Sequence, residues 1–234
     1  MSVSQMDSQV FDLINHRFHN AVLDVAMAAL STWVLWKPFV LLTAALALVF
    51  GGFKERALVC CAVVSVLIAD AGVANTLKHL AHRPRPYQAM AGVRIVRLKT
   101  EQPRFFAVAH PAVVTLSTLP SDRRDNRSFP SGHTINNFAF GTVLTWFYRK
   151  RGWLYFIVAT LVGWSRVYVG DHYPTDVLSA AVIGGLVALI TMLVVEWLWR
   201  NYTSRLSPAI ASAHSTLIGD DRSPPSDFSG CKNE

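Results

Sequence analysis

"RSFPSGHTINNFAFGTVLTW", residues 127–146, sets a polar cluster, Pro130-Ser131-Gly132-His133, at the start of an apolar-leaning run that continues to residue 148. A helix that only crosses a membrane has no use for Ser-Gly-His at its mouth. The first turn of any helix carries unpaired N–H groups and the positive end of the macrodipole. The stretch therefore reads as a membrane helix whose beginning is built to meet an anion.

The rest of the 234-residue chain supports a membrane setting. Hydrophobic residues make up 52% and charged residues 16%, against roughly 25% charged in a soluble domain. The net charge of +7 suits an anionic lipid surface or a phosphorylated substrate; the low charge density and long apolar runs argue against nucleic acid. Cys60 and Cys61 are adjacent in an apolar run and Cys231 lies near the C-terminus, a pattern of packing residues rather than a disulfide framework. No basic segment followed by an apolar core opens the chain, so no cleavable signal peptide is expected.

Five stretches are long and apolar enough to span: 38–53, 57–77, 131–148, 152–170 and 177–199. A sixth, 21–36, is shorter and carries Asp24. The expected fold is an all-α polytopic membrane bundle of about six helices, with residues 5–19 as an amphipathic lead-in helix at the interface. Residues 1–202 form one domain. Within it, 79–130 is a long, basic, Pro-rich loop without evident structure of its own, and 203–234 reads as a disordered polar tail. Intramembrane Asp70 is expected to hydrogen-bond a neighbouring helix, Asn136 and Asn137 likewise, and Glu196 to snorkel toward the interface.

Three polar clusters fall at span ends: Lys78 with Arg85-Pro86; Pro130 to His133; and Ser165-Arg166 with His172 and Asp176. Counting spans places all of them on one membrane face, where random polar punctuation would scatter. Lys78, Arg85 and Arg166 supply fixed positive charge, and arginine grips phosphate oxygens through two parallel hydrogen bonds. Ser131, Gly132 and the backbone around His133 complete an anion cradle, with Gly132 allowing close backbone approach. His172 and Asp176 are four apart and share a helical face, so Asp176 is expected to accept from one ring nitrogen and leave the other nucleophilic. His133 is placed to protonate a leaving oxygen. The implied chemistry is phosphoryl transfer to His172 followed by hydrolysis, with the three cations neutralising developing charge and no metal or other cofactor needed. His79, His82 and His110 have no metal-like spacing with acidic partners.

The ordered pattern Lys78-x6-Arg85-Pro86, Pro130-Ser131-Gly132-His133 and Ser165-Arg166-x5-His172-x3-Asp176 resembles the type 2 phosphatidic acid phosphatase superfamily, which includes membrane lipid phosphatases and vanadium haloperoxidases. Every motif position matches, over roughly residues 20–200. The resemblance implies His172 as nucleophile, His133 as acid, Asp176 as partner of His172, and Lys78, Arg85, Ser131, Gly132 and Arg166 as phosphate binders. It also implies a six-helix all-α fold. Arg83 falls outside the matched positions and suits a supporting or headgroup role; Arg123, Arg124 and Arg127 precede the cradle and read as a solvated charge run or, alternatively, as a mouth that attracts anionic headgroups.

A cradle at headgroup level implies an amphiphilic substrate held in the bilayer. Candidates are a polyprenyl diphosphate such as undecaprenyl diphosphate, which the compact chain and "RPRP" favour, phosphatidic acid or phosphatidylglycerophosphate, and lipid A. A lipid phosphotransferase would use the same histidine, a haloperoxidase would hold vanadate, and a lipid-binding protein would lack the nucleophile that is present here. Lys54 and Arg149-Lys150-Arg151 abut their spans on the face opposite the site, where positive charge marks the cytoplasmic side. With both termini on that same side, the site is expected to face outward from a bacterial inner membrane, toward the periplasm.

Overall fold

The structure is a computed structural model that describes residues 3–99, 104–118 and 127–218. Helix α1 (Val3–Asp12) ends in a π-helical turn, Leu13–Arg17, and is followed by α2 (Ala21–Ser31) and α3 (Trp33–Phe50). Asn20 caps α2 by accepting from the Leu23 N–H at 2.8 Å. The apolar run 21–36, expected to be one span, breaks at Thr32, whose hydroxyl bonds back to the Ala28 carbonyl at 2.7 Å. At 11 residues α2 rises about 16 Å, too little for a hydrocarbon core of about 30 Å.

Among the described residues, three helical stretches are long and apolar enough to cross a membrane: Trp33–Phe50, Phe53–Ala89 and Pro174–Arg205. The middle one is composite. Helix α4 (Phe53–Leu67) passes through a π-helical segment, Ile68–Ala74, into α5 (Asn75–Ala81), and after a short extended link α6 (Pro86–Ala89) adds one turn. The Glu55 carboxylate accepts from the Gly52 N–H at 2.9 Å and closes the start of α4.

The long loop has structure of its own, contrary to expectation. Strands β1 (Arg94–Arg97) and β2 (Val113–Leu116) pair antiparallel, with Arg94 opposite Leu116 and Arg97 opposite Val113. A 3-10 segment, Arg104–Ala109, lies between them. Then come α7 (Gly132–Phe147), α8 (Tyr155–Tyr168) and α9 (Pro174–Leu206). Pro174 at the first helical position and the Asp176 carboxylate on the Tyr173 N–H (2.9 Å) start α9. Among the described residues the fold is thus mostly helical, with one small sheet.

Helices α4, α7 and α9 pack around Ile135, Ala139, Val143, Ala180, Ala188 and Met192. Contact between α7 and α9 is close enough that a Cβ on Gly184 would sit 2.3 Å from the Ile135 carbonyl oxygen, the small-residue approach that membrane helices use. A second core at the site end joins α1, α2, β1 and the end of α8 through Phe11, Ile14, Ala28, Val93, Val96 and Tyr168. Burying a side chain the size of Phe11 contributes about 2–3 kcal/mol.

That second core changes the topology of the N-terminus. Asp24, the charge in the weak apolar run, is gripped by both bonds of Arg94 Nη2 (3.0 Å each) and accepts from Tyr168 Oη at 2.7 Å. Asn15 donates to the Arg94 and Tyr168 carbonyls at 2.9 and 2.8 Å. Helices α1 and α2 therefore pack on the site end of the bundle, so the N-terminal segment lies at that end rather than opposite the site, where both termini are expected from sequence.

At the far end, residues 203–218 are folded, not a loose tail. Helix α9 runs through Thr203 to Leu206, and α10 spans Pro208–Ala213. His214 stacks on Phe53 at 3.9 Å between ring centroids. Glu196 is buried, pairing with Arg200 at 2.7 Å and accepting from the Leu217 N–H at 3.3 Å, so it does not snorkel. Residues 219–234, with Cys231, lie outside the described residues.

Candidate active site

The three clusters converge, because α5, α7, α8 and α9 all present the correct end to one face. Gly132, the first residue of α7, shows how tightly: a Cβ there would lie 3.2 Å from Lys78 Nζ and 3.3 Å from an Asp70 carboxylate oxygen. A side chain there would have to push Lys78 and Asp70 aside, so glycine keeps the α7 N-terminus open to Lys78. The same measurement brings Asp70 into the site, beside Lys78, from a π-helical segment; such segments often mark functional positions. No hydrogen bond between Asp70 and a neighbouring helix is found among the described residues, contrary to expectation.

His172 is buried at 3% exposure in the turn between α8 and α9. Its Nδ1 lies 2.7 Å from the Ser128 carbonyl oxygen and 4.0 Å from Asp176 Oδ2. A carbonyl only accepts, so Nδ1 carries the proton and Nε2 keeps its lone pair. The expected direct bond from His172 to Asp176 is replaced by this backbone contact. Asp176, fully buried, acts one step further out: its Oδ2 accepts from Ser128 Oγ at 2.5 Å and from the Tyr173 N–H at 2.9 Å, and its Oδ1 from Arg83 Nη1 at 2.7 Å. The carboxylate holds the residue whose carbonyl holds the histidine.

Arg83 has a defined place in that assembly. It also donates to Asp7 at 2.5 Å and to Thr175 Oγ1 at 2.8 Å, and lies 4.1 Å from the Tyr173 ring centroid. Asp7 in turn accepts from the Thr175 N–H at 2.9 Å, so α1 is tied to the first turn of α9.

Arg166, 6% exposed, donates to the Ser31 carbonyl at 3.0 Å, to the Ser31 hydroxyl, and to Asp171. Arg85 lies 3.5 Å from Asp171. The Nε atoms of both Arg85 and Arg166 are buried without a hydrogen-bond partner among the described residues. Buried donors left unpaired cost on the order of 1–3 kcal/mol each, an expense that an arriving oxyanion would remove. His133, half-buried in the first turn of α7, lies within electrostatic reach of Arg166, Asp171, Arg85 and Lys78. Ser131 is fully buried and accepts from Thr134 Oγ1 at 3.0 Å.

Electrostatics follow from this packing. Burial alone raises the Asp171 carboxyl, but Arg166, Arg97 and Arg85 outweigh it and hold it at about 2. Burial, then Arg166 and Arg85, push His172 well below its ordinary 6.5. The imidazole is therefore neutral at physiological pH, as a nucleophile must be.

Eight residues picked from sequence thus meet at one end of the bundle: Lys78, Arg85, Ser131, Gly132, His133, Arg166, His172 and Asp176. Sequence reasoning missed Ser128, Ser31, Asp171 and Arg97. Asp171 left a signal, an acid wedged between Arg166 and His172; Ser128 left none, because its contribution to His172 is a backbone carbonyl. Asn137 accepts from Tyr155 Oη at 2.7 Å, joining α7 to α8 as expected, whereas Asn136 Oδ1 has no partner among the described residues. Arg123 and Arg124 lie outside the described residues.

Residues 58–200 match the PAP2 superfamily. The chain belongs to the PAP2 superfamily. Among its relatives, the bacitracin transport permease protein BcrC of Bacillus licheniformis is 40% identical over 85 residues, 34% of this chain and 42% of that protein. Undecaprenyl-diphosphatase BcrC of Bacillus subtilis is 31% identical over 162 residues, 67% of this chain and 74% of the relative. Lipid A 4'-phosphatase of Bacteroides thetaiotaomicron is 28% identical over 189 residues, 78% and 74% of the two chains. The crystal structure of Aquifex aeolicus LpxE superposes with a TM-score of 0.55 at 23% identity, covering 82% of this chain and 99% of that one, so this chain has the fold of that structure. The PAP2 fold here holds its motif residues at the ends of α5, α7, α8 and α9.

Proposed function

We propose that this protein is an integral membrane lipid phosphatase that hydrolyses a polyprenyl diphosphate, undecaprenyl diphosphate first among them, through a phosphohistidine. The observation that carries the reading is His172 with Nδ1 committed to Ser128 and Nε2 free, beside two arginines whose buried Nε donors lack acceptors. The terminal phosphoryl group transfers to His172 Nε2. An N–P bond forms, the P–O bond to the lipid monophosphate breaks, and His133 gives its proton to the leaving oxygen. Water then attacks phosphorus, His133 takes its proton, and the N–P bond breaks to release inorganic phosphate. Lys78, Arg85, Arg166 and the N–H groups opening α7 hold the equatorial oxygens, where charge builds in the transition state.

The relative of stated diphosphatase activity, at 31% identity over two thirds of this chain, supports the substrate. Similarity to a lipid A 4'-phosphatase over 78% of the chain supports lipid A as the second reading. With the site facing the periplasm, either lipid would be met in the outer leaflet of the inner membrane.

The test is phosphate release in detergent, with EDTA present, from undecaprenyl diphosphate, phosphatidic acid, phosphatidylglycerophosphate and lipid A, each beside His172→Ala. Release that is fastest from undecaprenyl diphosphate and absent in the variant is the expected result. Fastest release from lipid A selects the second reading. Transfer of the phosphoryl group to a lipid acceptor, without free phosphate, overturns hydrolysis.

A further inference from the structure

Asp171 carries more cation than its own charge requires. Its Oδ2 takes Arg166, while its Oδ1 takes Arg97 Nη2 at 2.5 Å and lies 3.5 Å from Arg85 Nη1. One buried carboxylate is neutralised by one guanidinium. A second and a third place more positive charge at one edge of the site than Asp171 neutralises, a surplus that attracts a further anionic group. Arg85 and Arg166 are accounted for by the reacting phosphoryl group. Arg97 is not: it belongs to no motif and comes from β1, in the insertion between α5 and α7.

The three side chains form a graded series. The Arg166 side chain is 7% exposed, that of Arg85 23% and that of Arg97 46%. Electrostatics give the same order: Arg166 and Arg85 are among the charges acting most strongly on both His172 and His133, and Arg97 is not. Arg97 thus stands at the outer, more exposed end of the cation series that converges on Asp171. Its anchorage is firm, since β1 is buried at Val96 and the Arg97 Nη1 donates to the Val96 carbonyl at 3.2 Å.

We infer that Arg97 is a specificity-determining residue that binds the second phosphate of a diphosphate substrate, and that Asp171 is the positioning residue that presents it beside Arg85 and Arg166. This rests on the diphosphatase reading and adds to it the group that tells a diphosphate from a monophosphate. A monophosphate fills only the inner arginines and leaves Arg97 on Asp171; a diphosphate reaches one guanidinium further.

The experiment compares farnesyl diphosphate with farnesyl monophosphate, which share a tail and differ by one phosphate, on the full chain in detergent. Wild type, Arg97→Gln and Arg97→Lys are measured, with thermal unfolding of each. The expected result for Arg97→Gln is a fall in kcat/KM on the diphosphate of about 10- to 100-fold, the loss of one charge-assisted contact. On the monophosphate the fall is under about threefold by the same reasoning, because no contact to it is removed. Arg97→Lys keeps the charge and recovers part of the diphosphate loss. Equal loss on both substrates in either variant, or no loss on either, overturns the inference while leaving the diphosphatase reading in place. Wild-type protein that cleaves only the monophosphate overturns the diphosphatase reading itself, and this inference with it.

Discussion

Replacing Asp176 with asparagine separates two ways in which this carboxylate could matter. In the structure it is fully buried, accepts from Ser128, Tyr173 and Arg83, and lies 4.0 Å from the His172 ring nitrogen. Asparagine keeps the shape but removes the charge and turns one acceptor oxygen into a donor facing a donor. Breaking a buried ion pair from one side costs about 3–5 kcal/mol. Arg83 retains Asp7 and Thr175, so the lower part of that range, about 3 kcal/mol, is expected. For a chain of this size that is a fall in Tm of roughly 6–12 °C. Activity should fall with it, because Ser128 loses the acceptor that holds its carbonyl on His172. The assay is thermal unfolding in detergent alongside kcat on farnesyl diphosphate. A variant with unchanged Tm and no activity would refute this reasoning, since it would mean that Asp176 acts on His172 directly.

Ser128→Ala removes the same hydroxyl bond to Asp176, so a stability loss of about 1 kcal/mol by denaturant unfolding is expected, with a fall in kcat in the same direction as for Asp176→Asn and no larger in the steady-state assay. Arg83→Ala frees Asp7, Asp176 and the Tyr173 ring together; unfolding in detergent should show a loss of about 3 kcal/mol or more, and limited proteolysis should release the α1 segment first. The depressed His172 sets a pH dependence. The unfolded chain binds a proton on this residue below about 6.5 while the folded one does not, so the stability contribution present above 6.5 is lost as pH falls below it. Tm measured from pH 7.5 to 5 should therefore fall more steeply in wild type than in His172→Gln. Asp171 works at a lower range: held at about 2 against an ordinary 3.8, its contribution is complete above about pH 4 and is lost only as pH falls toward 2.

Motif residues were legible in sequence because each sits at a helix end, where apolar periodicity stops and a polar side chain has a reason to be. Lys78, Ser131, Arg166 and Asp176 all have that signature, and their shared face followed from counting spans. The expected count of about six spans stands against three long apolar helices among the described residues, yet the site residues still share one end of the bundle, because all of them follow the run 21–36 that breaks at Thr32. Composition could not distinguish a span from a short helix plus a break at Thr32; Asp24 was the clue, and its partner Arg94 lies 70 residues away. Long-range pairing of that kind has no periodicity. The same holds for Ser31 on Arg166 and for Arg97 on Asp171. Ser128 was invisible for a different reason, since any residue at that position offers a carbonyl. In the far-end segment, Phe53 and Glu196 hold His214 and Leu217 through contacts that a polar, Ser-rich composition conceals.

The most direct test of the central claim is a rapid-quench experiment with farnesyl diphosphate labelled on its terminal phosphate, followed by peptide mapping of the labelled protein. The expected label is acid-labile and base-stable, maps to the peptide carrying His172, appears and decays on the time scale of turnover, and is absent from His172→Ala. Turnover without any labelled protein, or a label that maps to another residue, would contradict the account.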